Sequence, residues 1–331
     1  GYGTNDDVGG VIGAADGDLF ATAITAGPEH HVAVGAPGAG CGVAYVGEWD
    51  FAAGSSGDLQ GDITTAVASS RFLELRVDCT GEAEDITWLD FGRSVVVDDF
   101  TGTGMMGTAV GAPLSESYSG QGAVFLAPVN DRLSDDAGVV DLSASGAAHT
   151  VVSMDPDGRF GASLAAADVD GDGINDLVVG EPDGVGDGFA GAGAVYVYLE
   201  LDRLLIDNFA DTANMVVRGD AEGQHTGTSV ANAGAWLDGT EGEGLVVGAP
   251  GHRDDAGAVL VTPHGDAFTT GTTTSLAGGV LLTGVDRGDR LGAAVAVYDT
   301  DFDGLVDVAA GAPGSGDNGE GAVWLFLGNQ R

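Results

Sequence analysis

The sequence contains no lysine, and its 11 basic residues are all arginines. Against them stand 51 aspartates and glutamates, which give a formal net charge of -40 at pH 7. Proteins that bind nucleic acids neutralise phosphates with clustered lysine and arginine, so this composition argues against a nucleic-acid partner. No apolar run approaches the roughly 18 residues that cross a bilayer, and the sequence therefore predicts no membrane span.

Cysteine is also scarce, with only Cys41 and Cys79 in the chain. In an oxidising compartment the two can form a disulfide that closes a loop of about forty residues, which would add about 3–4 kcal/mol to stability. The alternative is a pair of small buried thiols. The sequence leaves both possibilities open.

The excess of acidic residues has a consequence for the solvent in which the protein works. Acid at this density repels itself in dilute buffer, whereas at roughly 1 M salt the Debye length falls to about 3 Å and most of the repulsion is screened. The composition, with a pI near 4.1, resembles that of proteins from extreme halophiles and predicts a halophilic archaeon as the source. The alternative is an ordinary acidic secreted protein.

One stretch, residues 160–199, contains the pattern around which the chain is organised. Two short apolar runs flank a turn rich in carboxylates, and runs bounded by glycine, proline and aspartate are typical of β-strands. Hard cations such as calcium prefer oxygen ligands, and Gly173 permits the sharp turn between them. The predicted ligands are the side chains of Asp168, Asp170, Asp172 and Asp176 and the carbonyl of Ile174. Strands rather than helices flank this loop, so it is not an EF-hand.

The same loop recurs near the end of the chain, at nearly identical spacing. Its predicted ligands are Asp299, Asp301, Asp303 and Asp307 and the carbonyl of Leu305. Two matched copies favour two calcium ions over a solvated acidic turn, and magnesium is the lesser candidate because it suits all-protein cages less well. The equivalent turn of residues 99–107 keeps one aspartate, and we expect it to bind no metal.

Five repeats cover the chain, starting near residues 20, 91, 160, 226 and 291, at spacings of 71, 69, 66 and 65 residues. Each repeat begins with a larger residue, phenylalanine in three of the five, followed by glycine or alanine. The motif Gly-Ala-Pro or Gly-Glu-Pro comes next, and a glycine followed by an apolar run comes last. A recurring period of this length indicates a repeat architecture. The order of these motifs resembles FG-GAP repeats, and the chain resembles the β-propeller of integrin α-subunits.

This resemblance implies an all-β fold, and five repeats predict a single domain over residues 1–331 with five blades of four antiparallel strands. The second strand of each blade should end at the proline, which lacks a ladder donor. In the third repeat the four strands are predicted at residues 161–167, 177–179, 194–199 and 214–218. Residues 8–18 align with the fourth strands of the inner repeats. They are therefore predicted to complete the last blade and to close the ring.

In integrins the face opposite the calcium loops carries partner contacts, so the resemblance directs attention to the loops that follow each Gly-Ala-Pro. Their large or basic side chains, Tyr118, Phe189, His252 and Arg253, are the predicted contacts. The expected function is binding at the cell surface, to a protein, a glycan or other copies of the chain. The alternative is a polysaccharide-active enzyme or carbohydrate-binding propeller, for which we find no catalytic motif in the sequence.

Overall fold

The structure is a computed structural model that covers most of the repeat cores. The described residues are 11–12, 23–28, 31–38, 42–48, 61–62, 72–77, 90–114, 121–129, 138–142, 149–153, 155, 157–186, 188–199, 201, 208–209, 212–234, 243–262, 273–275 and 279–328. Cys41, Cys79 and Tyr118 lie outside these residues, so the predicted disulfide and one predicted contact stay predictions. Within the described residues, no helix has both the length and the hydropathy that a membrane crossing requires.

The strands form five antiparallel sheets that follow one another along the chain, as the five repeats predicted. We call these sheets blades 1 to 5. Blade 1 contains β2 (Ala23–Ala26), β3 (His31–Ala36), β4 (Val43–Glu48) and β6 (Phe72–Arg76). Blade 2 contains β7 (Ser94–Asp98), β8 (Gly107–Ala112), β9 (Ala123–Pro128) and β11 (His149–Val152). Blade 3 contains β12 (Ser163–Ala167), β13 (Asp176–Glu181), β14 (Ala194–Tyr198) and β16 (Met215–Arg218).

Blade 4 contains β17 (Ser229–Gly234), β18 (Gly244–Ala249), β19 (Ala258–Val261) and β21 (Val280–Thr283), with the four-residue helical turn α1 (His252–Asp255) between its second and third strands. Blade 5 contains β22 (Ala294–Tyr298), β23 (Asp307–Ala312) and β24 (Ala322–Phe326). Within each blade the strands pair in chain order. The turns between first and second strands therefore lie at one end of the molecule, and those between second and third strands lie at the other.

The blades pack face to face, and the apolar residues between them form the core. Successive first strands contact each other from β2 through β7, β12 and β17 to β22. Second strands are buried along their whole length in blades 3 and 4, because both faces of these blades are covered by a neighbour. Blade 3 also has an aromatic contact at Phe160, whose ring meets that of Tyr196 edge to face at 5.6 Å.

The structure also contains four short strands that the sequence did not predict: β5 (Gly61–Asp62), β10 (Val139–Asp141), β15 (Asn208–Phe209) and β20 (Thr273–Ser275). Each lies between the third and fourth strands of its own repeat. The last three pair in parallel with the fourth strand of the preceding blade, β10 with β6, β15 with β11 and β20 with β16. We call these four strands straps, because β10, β15 and β20 each tie a blade to the blade before it.

The predicted closing segment, residues 8–18, is described only at β1 (Val11–Ile12). Its two residues pair in parallel with β5, and in the described part of the chain β24 pairs with β23 alone. The structure therefore agrees with five blades but does not show the ring closed through β1.

Candidate functional site

The loop between β12 and β13 brings three of its predicted ligands together. One oxygen each from Asp168, Asp170 and Asp176 lie within 4.8 Å of one another. The loop can turn this tightly because Gly171 and Gly173 have φ of 80° and 88°, a region that glycine adopts without steric cost. The Asp168 carboxylate also accepts hydrogen bonds from the N–H groups of Gly171 and Gly173, at 2.8 and 3.0 Å.

The loop between β22 and β23 repeats this arrangement. Oxygens of Asp299, Asp301 and Asp307 lie within 4.8 Å of one another. Where blade 3 has Gly171, this loop has Phe302, which takes the same left-handed conformation at φ 60° and is 80% exposed. Both loops can hold a metal ion through three carboxylates.

The third aspartate of each loop, Asp172 or Asp303, does not belong to these clusters. The Asp172 carboxylate instead accepts a hydrogen bond from the N–H of Ile174 at 2.8 Å, and that of Asp303 accepts one from the N–H of Leu305 at 2.9 Å. A carboxylate has several lone pairs, so these bonds are compatible with an additional metal contact. The roles of all four residues as ligands stay predictions.

The electrostatics of the blade 3 loop fit a bound cation. Asp176 is only 3% exposed. Burial, together with repulsion from Asp170, Asp172 and Asp168, raises its pKa to about 8. A buried carboxylate surrounded by like charges is costly unless a cation balances it. In blade 5, hydrogen bonds from the Thr300 hydroxyl and N–H lower the pKa of Asp307.

The equivalent turn of blade 2 shows how the loop is built with one carboxylate. Threonines stand where the other loops have aspartates, and the Thr101 hydroxyl donates to Asp99 at 3.0 Å and meets that of Thr103 at 2.7 Å. Although burial opposes it, hydrogen bonds from Gly104 and Thr101 lower the pKa of Asp99. Hydrogen bonds among Asp99, Thr101 and Thr103 thus hold together positions at which three carboxylates would repel one another.

Neighbouring blades hold the blade 3 loop from both sides. From blade 2, the Asp98 carboxylate accepts a hydrogen bond from Asn175 at 3.0 Å. From blade 4, Glu243 accepts from the Asp168 N–H at 3.0 Å and donates its own N–H to the Asp168 carbonyl at 2.7 Å. A metal ion in this loop would therefore stabilise contacts among three blades.

The opposite end of the molecule, which we call the loop end, carries the predicted partner contacts. Phe189 is 46% exposed, and Arg253 is exposed in a turn where it has a left-handed φ of 51°. His252 is half-buried, and its Nδ1 lies 3.1 Å from the Gln224 amide nitrogen. Exposed apolar side chains that the sequence analysis did not select also lie here: Leu114, Val185 and Val285.

Every arginine among the described residues lies at this loop end, at a strand terminus or in a connection: Arg76, Arg93, Arg159, Arg218, Arg253, Arg287 and Arg290. Sequence reasoning missed this segregation, although it follows from the strand order once the blades are assigned. The end that contains the carboxylate loops, which we call the metal end, has no arginine in the described residues. The two ends therefore differ in the kinds of charge that they present.

An ionic network at the loop end links blades 3 and 4. Asp183 contacts the Arg159 guanidinium and accepts from His225 Nδ1 at 2.8 Å. The hydrogen bond that His225 donates to Asp183 raises the pKa of His225. All three side chains are partly exposed, so the network fixes the loop after β13 at modest energetic gain.

A buried carboxylate lies beneath this network. Glu181 is 0% exposed, and its oxygens accept hydrogen bonds from the hydroxyls of Ser153 and of Tyr196, the latter at 2.7 Å. Burial raises its pKa to about 7, and repulsion from Asp155 adds to this against the opposing effects of the two hydrogen bonds and of Arg218. The other four repeats have alanine at this position.

Replacing Glu181 with glutamine is expected to change how stability depends on pH. The folded pKa lies above the ordinary value of 4.5, so the contribution of Glu181 is fully present below about pH 4.5 and is lost as pH rises through about 7. At 1.36 kcal/mol per pKa unit, the loss is about 3 kcal/mol at most. Urea unfolding should show that the free energy of unfolding of E181Q, relative to that of the wild type, is higher at pH 8 than at pH 5. For the exposed control Glu222→Gln this difference should be the same at both pH values. A difference between E181Q and wild type that is the same at both pH values would contradict this.

Comparison with known proteins identifies the repeats. The FG-GAP repeat family matches residues 160–198 and 291–326, which contain the two carboxylate loops. Integrin alpha-PS5 of Drosophila melanogaster is 32% identical over 166 residues, which are 49% of this chain and 15% of that protein. Integrin alpha pat-2 of Caenorhabditis elegans is 33% identical over 182 residues, or 52% of this chain and 14% of that protein.

Other kinds of protein share the repeat. Phosphatidylinositol-glycan-specific phospholipase D of Homo sapiens is 36% identical over 110 residues, or 32% of this chain and 13% of that protein. This chain thus spans about one seventh of the length of these relatives. The structure of an α-L-arabinanase mutant from Cellvibrio cellulosa aligns with 92% of this chain and 89% of that chain, at 13% identity and a TM-score of 0.36. At that score the likeness carries no argument about function.

Proposed function

We propose that this chain, which carries FG-GAP repeats and resembles integrin α-subunits in sequence, is a calcium-stabilised binding module that acts at the cell surface. Its partner is a protein or glycan of the surface. The observation that carries the proposal is the difference between the two ends of the molecule. Clustered carboxylates lie at the metal end, and exposed apolar side chains and arginines lie at the loop end.

The metal end supports a structural role for calcium. The carboxylate clusters lie in loops that join first to second strands, and Asp176 and Asp307 are buried at the starts of β13 and β23. Calcium suits these oxygen-only sites because it accepts flexible geometry and several carboxylates. Bound there, the ions offset the repulsion among the carboxylates and hold the loop in place.

The loop end supports partner binding. Val185 and Phe189, each 46% exposed, project from one loop of blade 3, and a bridge between Gly186 and Phe189 fixes that loop internally. Large exposed apolar groups beside charged residues are typical of protein contact surfaces. In molar salt, apolar contacts are the ones that persist, because salt screens exposed charges and strengthens apolar burial.

Binding of the labelled protein to cells of its source organism tests this proposal. In molar salt with calcium, the wild type is expected to bind the cell surface, and Val185→Ser combined with Phe189→Ser should weaken binding at least tenfold. Met105→Ser, which removes a 45% exposed apolar side chain at the metal end, is the matched control and should bind normally. No binding by the wild type, or equal binding by the loop variant, would overturn the proposal. Release of soluble sugars from the cell envelope would instead favour the enzyme.

A further inference from the structure

Phe302, in the carboxylate loop of blade 5, has a backbone conformation that its side chain makes costly. Its φ of 60° lies in the left-handed region, which bulky residues rarely adopt. The equivalent residues of blades 2 and 3 are Gly102 and Gly171, with φ of 64° and 80°, and glycine adopts this region freely. The Phe302 side chain is 80% exposed, so packing within the described residues does not explain it. Strain that the fold does not require points to a function at this position.

A second strained segment lies at the opposite end of the molecule. Arg253, Asp254 and Asp255 are left-handed one after another, with φ of 51°, 59° and 63°, whereas residues other than glycine normally visit this region singly. Two contacts with the segment before blade 5 hold this turn. Arg287 forms an ion pair with Asp254 at 2.7 Å, and the Arg290 N–H donates to the Asp255 carbonyl at 2.8 Å. The turn therefore brings the chain at Arg253 close to Arg290.

The guanidinium groups of Arg253 and Arg290 form no ion pair among the described residues, and both residues are exposed. In blade 3 the residue equivalent to Arg290 is Arg159, which contacts the Asp183 carboxylate. In blade 5 the residue equivalent to Asp183 is Gly314, which has no side chain to offer. These two arginines are therefore available to an aromatic ring or a carboxylate of another molecule.

The two strained features lie at opposite ends of one strand. Arg290 precedes β22 (Ala294–Tyr298) at the loop end, and Phe302 follows it at the metal end. A second copy of the chain, displaced along the direction of β22, therefore brings its Phe302 toward Arg290 of the first. No rotation is needed to align the two surfaces.

The charges of the two ends favour the same partner. The metal end has no arginine in the described residues, and each full loop has four aspartates, so a divalent ion leaves it negative. An arginine over the face of a phenylalanine ring is attracted to the ring, and nearby carboxylates add to this attraction. At roughly 1 M salt, repulsion between two copies of net charge -40 is screened beyond about 3 Å, which leaves the direct contacts.

We propose that copies of this chain associate head to tail, with Phe302 of one copy packed against Arg253 and Arg290 of the next. The two surfaces differ, so the contact repeats from copy to copy and builds an open stack. For this surface, the inference narrows the expected partners to a second copy. It does not depend on partner binding through Val185 and Phe189, so either proposal can fail without the other.

Sedimentation velocity in molar salt with calcium tests the stack. The wild type should form species larger than a monomer, and these should grow with protein concentration. Phe302→Gly places in blade 5 the residue that blade 3 has, and Asn at positions 253 and 290 suits the left-handed backbone. Phe302→Gly, and Arg253→Asn combined with Arg290→Asn, should each weaken association by about tenfold. Arg76→Gln, in the fourth strand of blade 1, is the control and should associate as the wild type does.

Mixing the two variants separates a head-to-tail contact from a symmetric one. The Phe302 variant keeps an intact loop end and the arginine variant keeps an intact metal end, so together they should form a 1:1 complex that grows no further. A symmetric contact would give no such complex, and that outcome would overturn the proposal. A wild type that stays monomeric, or variants that associate as the wild type does, would also overturn it.

Thermal melting of the dilute monomers gives a second readout. Phe302→Gly should leave the melting temperature unchanged or raise it, because glycine relieves the strain of the left-handed backbone. Loss of association without loss of stability is the result expected of a contact residue. A lower melting temperature for this variant would show instead that Phe302 stabilises its own fold, and would contradict the proposal.

Discussion

Chelating calcium with EDTA is expected to lower the melting temperature of this protein by about 10 °C for each metal site that is lost. A site saturated at a thousand times its Kd adds about 4 kcal/mol to stability by mass action, and 1 kcal/mol corresponds to about 2–4 °C in a large domain. Without the ion, Asp176 remains buried beside three other aspartates. Differential scanning calorimetry in molar sodium chloride, with and without calcium, measures the effect.

Matched variants separate metal binding from ordinary loop stability. Asp168→Asn and Asp299→Asn should lower the melting temperature more in calcium than in EDTA, because in EDTA only their hydrogen bonds to loop N–H groups are weakened. Asp99→Asn is the control, because Asp99 has the same place in the blade 2 loop and is held by hydrogen bonds to protein groups. It should cause the same loss in both solutions. If Asp168→Asn lowered the melting temperature as much in EDTA as in calcium, the Asp168 carboxylate would stabilise the loop without binding a metal. Asp172→Asn then tests the predicted ligand that the clusters do not include.

Lowering sodium chloride from about 3 M to about 0.1 M is expected to cause the second large effect, a marked loss of stability. The Debye length rises from about 3 Å at 1 M to about 10 Å at 0.1 M, so most of the repulsion within a chain of net charge -40 is unscreened. The described part of the metal end offers no arginine to offset its carboxylates. Calcium is kept saturating throughout, so that any loss reports on screening alone.

A variant with fewer charges should need less salt. Exposed Asp157, Asp255, Asp286 and Asp317 lie at the loop end, and replacing all four with asparagine changes the net charge from -40 to -36. Asparagine tolerates the left-handed backbone found at Asp157 and Asp255. The salt concentration at half-unfolding should fall for this variant. Stability that is constant from 3 M to 0.1 M would remove the basis for a halophilic source.

Much of the fold was predictable because glycine, proline and aspartate mark the turns after the first and second strands of the repeats. In blade 3 the sequence predicted strands at residues 161–167, 177–179, 194–199 and 214–218, and the structure has β12 (Ser163–Ala167), β13 (Asp176–Glu181), β14 (Ala194–Tyr198) and β16 (Met215–Arg218). Local patterning determines such strands, since successive residues must be apolar where neighbouring blades cover both faces. The straps were missed because two or three residues carry no pattern of their own.

The candidate metal site was predicted in part. Spacing alone indicated the loops, and in the structure oxygens of Asp168, Asp170 and Asp176 lie within 4.8 Å of one another. Spacing could not show that Asp172 and Asp303 turn toward their own backbone. It also could not show that Glu181 is buried, because a glutamate in a chain with 51 acidic residues gives no indication of burial.

By itself, the sequence determined the repeat, the number of blades, the order of strands and the positions of the carboxylate loops. These depend on residue type and spacing along one segment at a time. Only the tertiary structure decided which side chains meet across blades: Asn175 with Asp98, Asp168 with Glu243, and Asp183 with His225. It alone left Ile24 and Val323 exposed where their equivalents are buried. The physical reason is that contacts between residues far apart in the chain depend on how whole blades are stacked, and no local pattern contains that information.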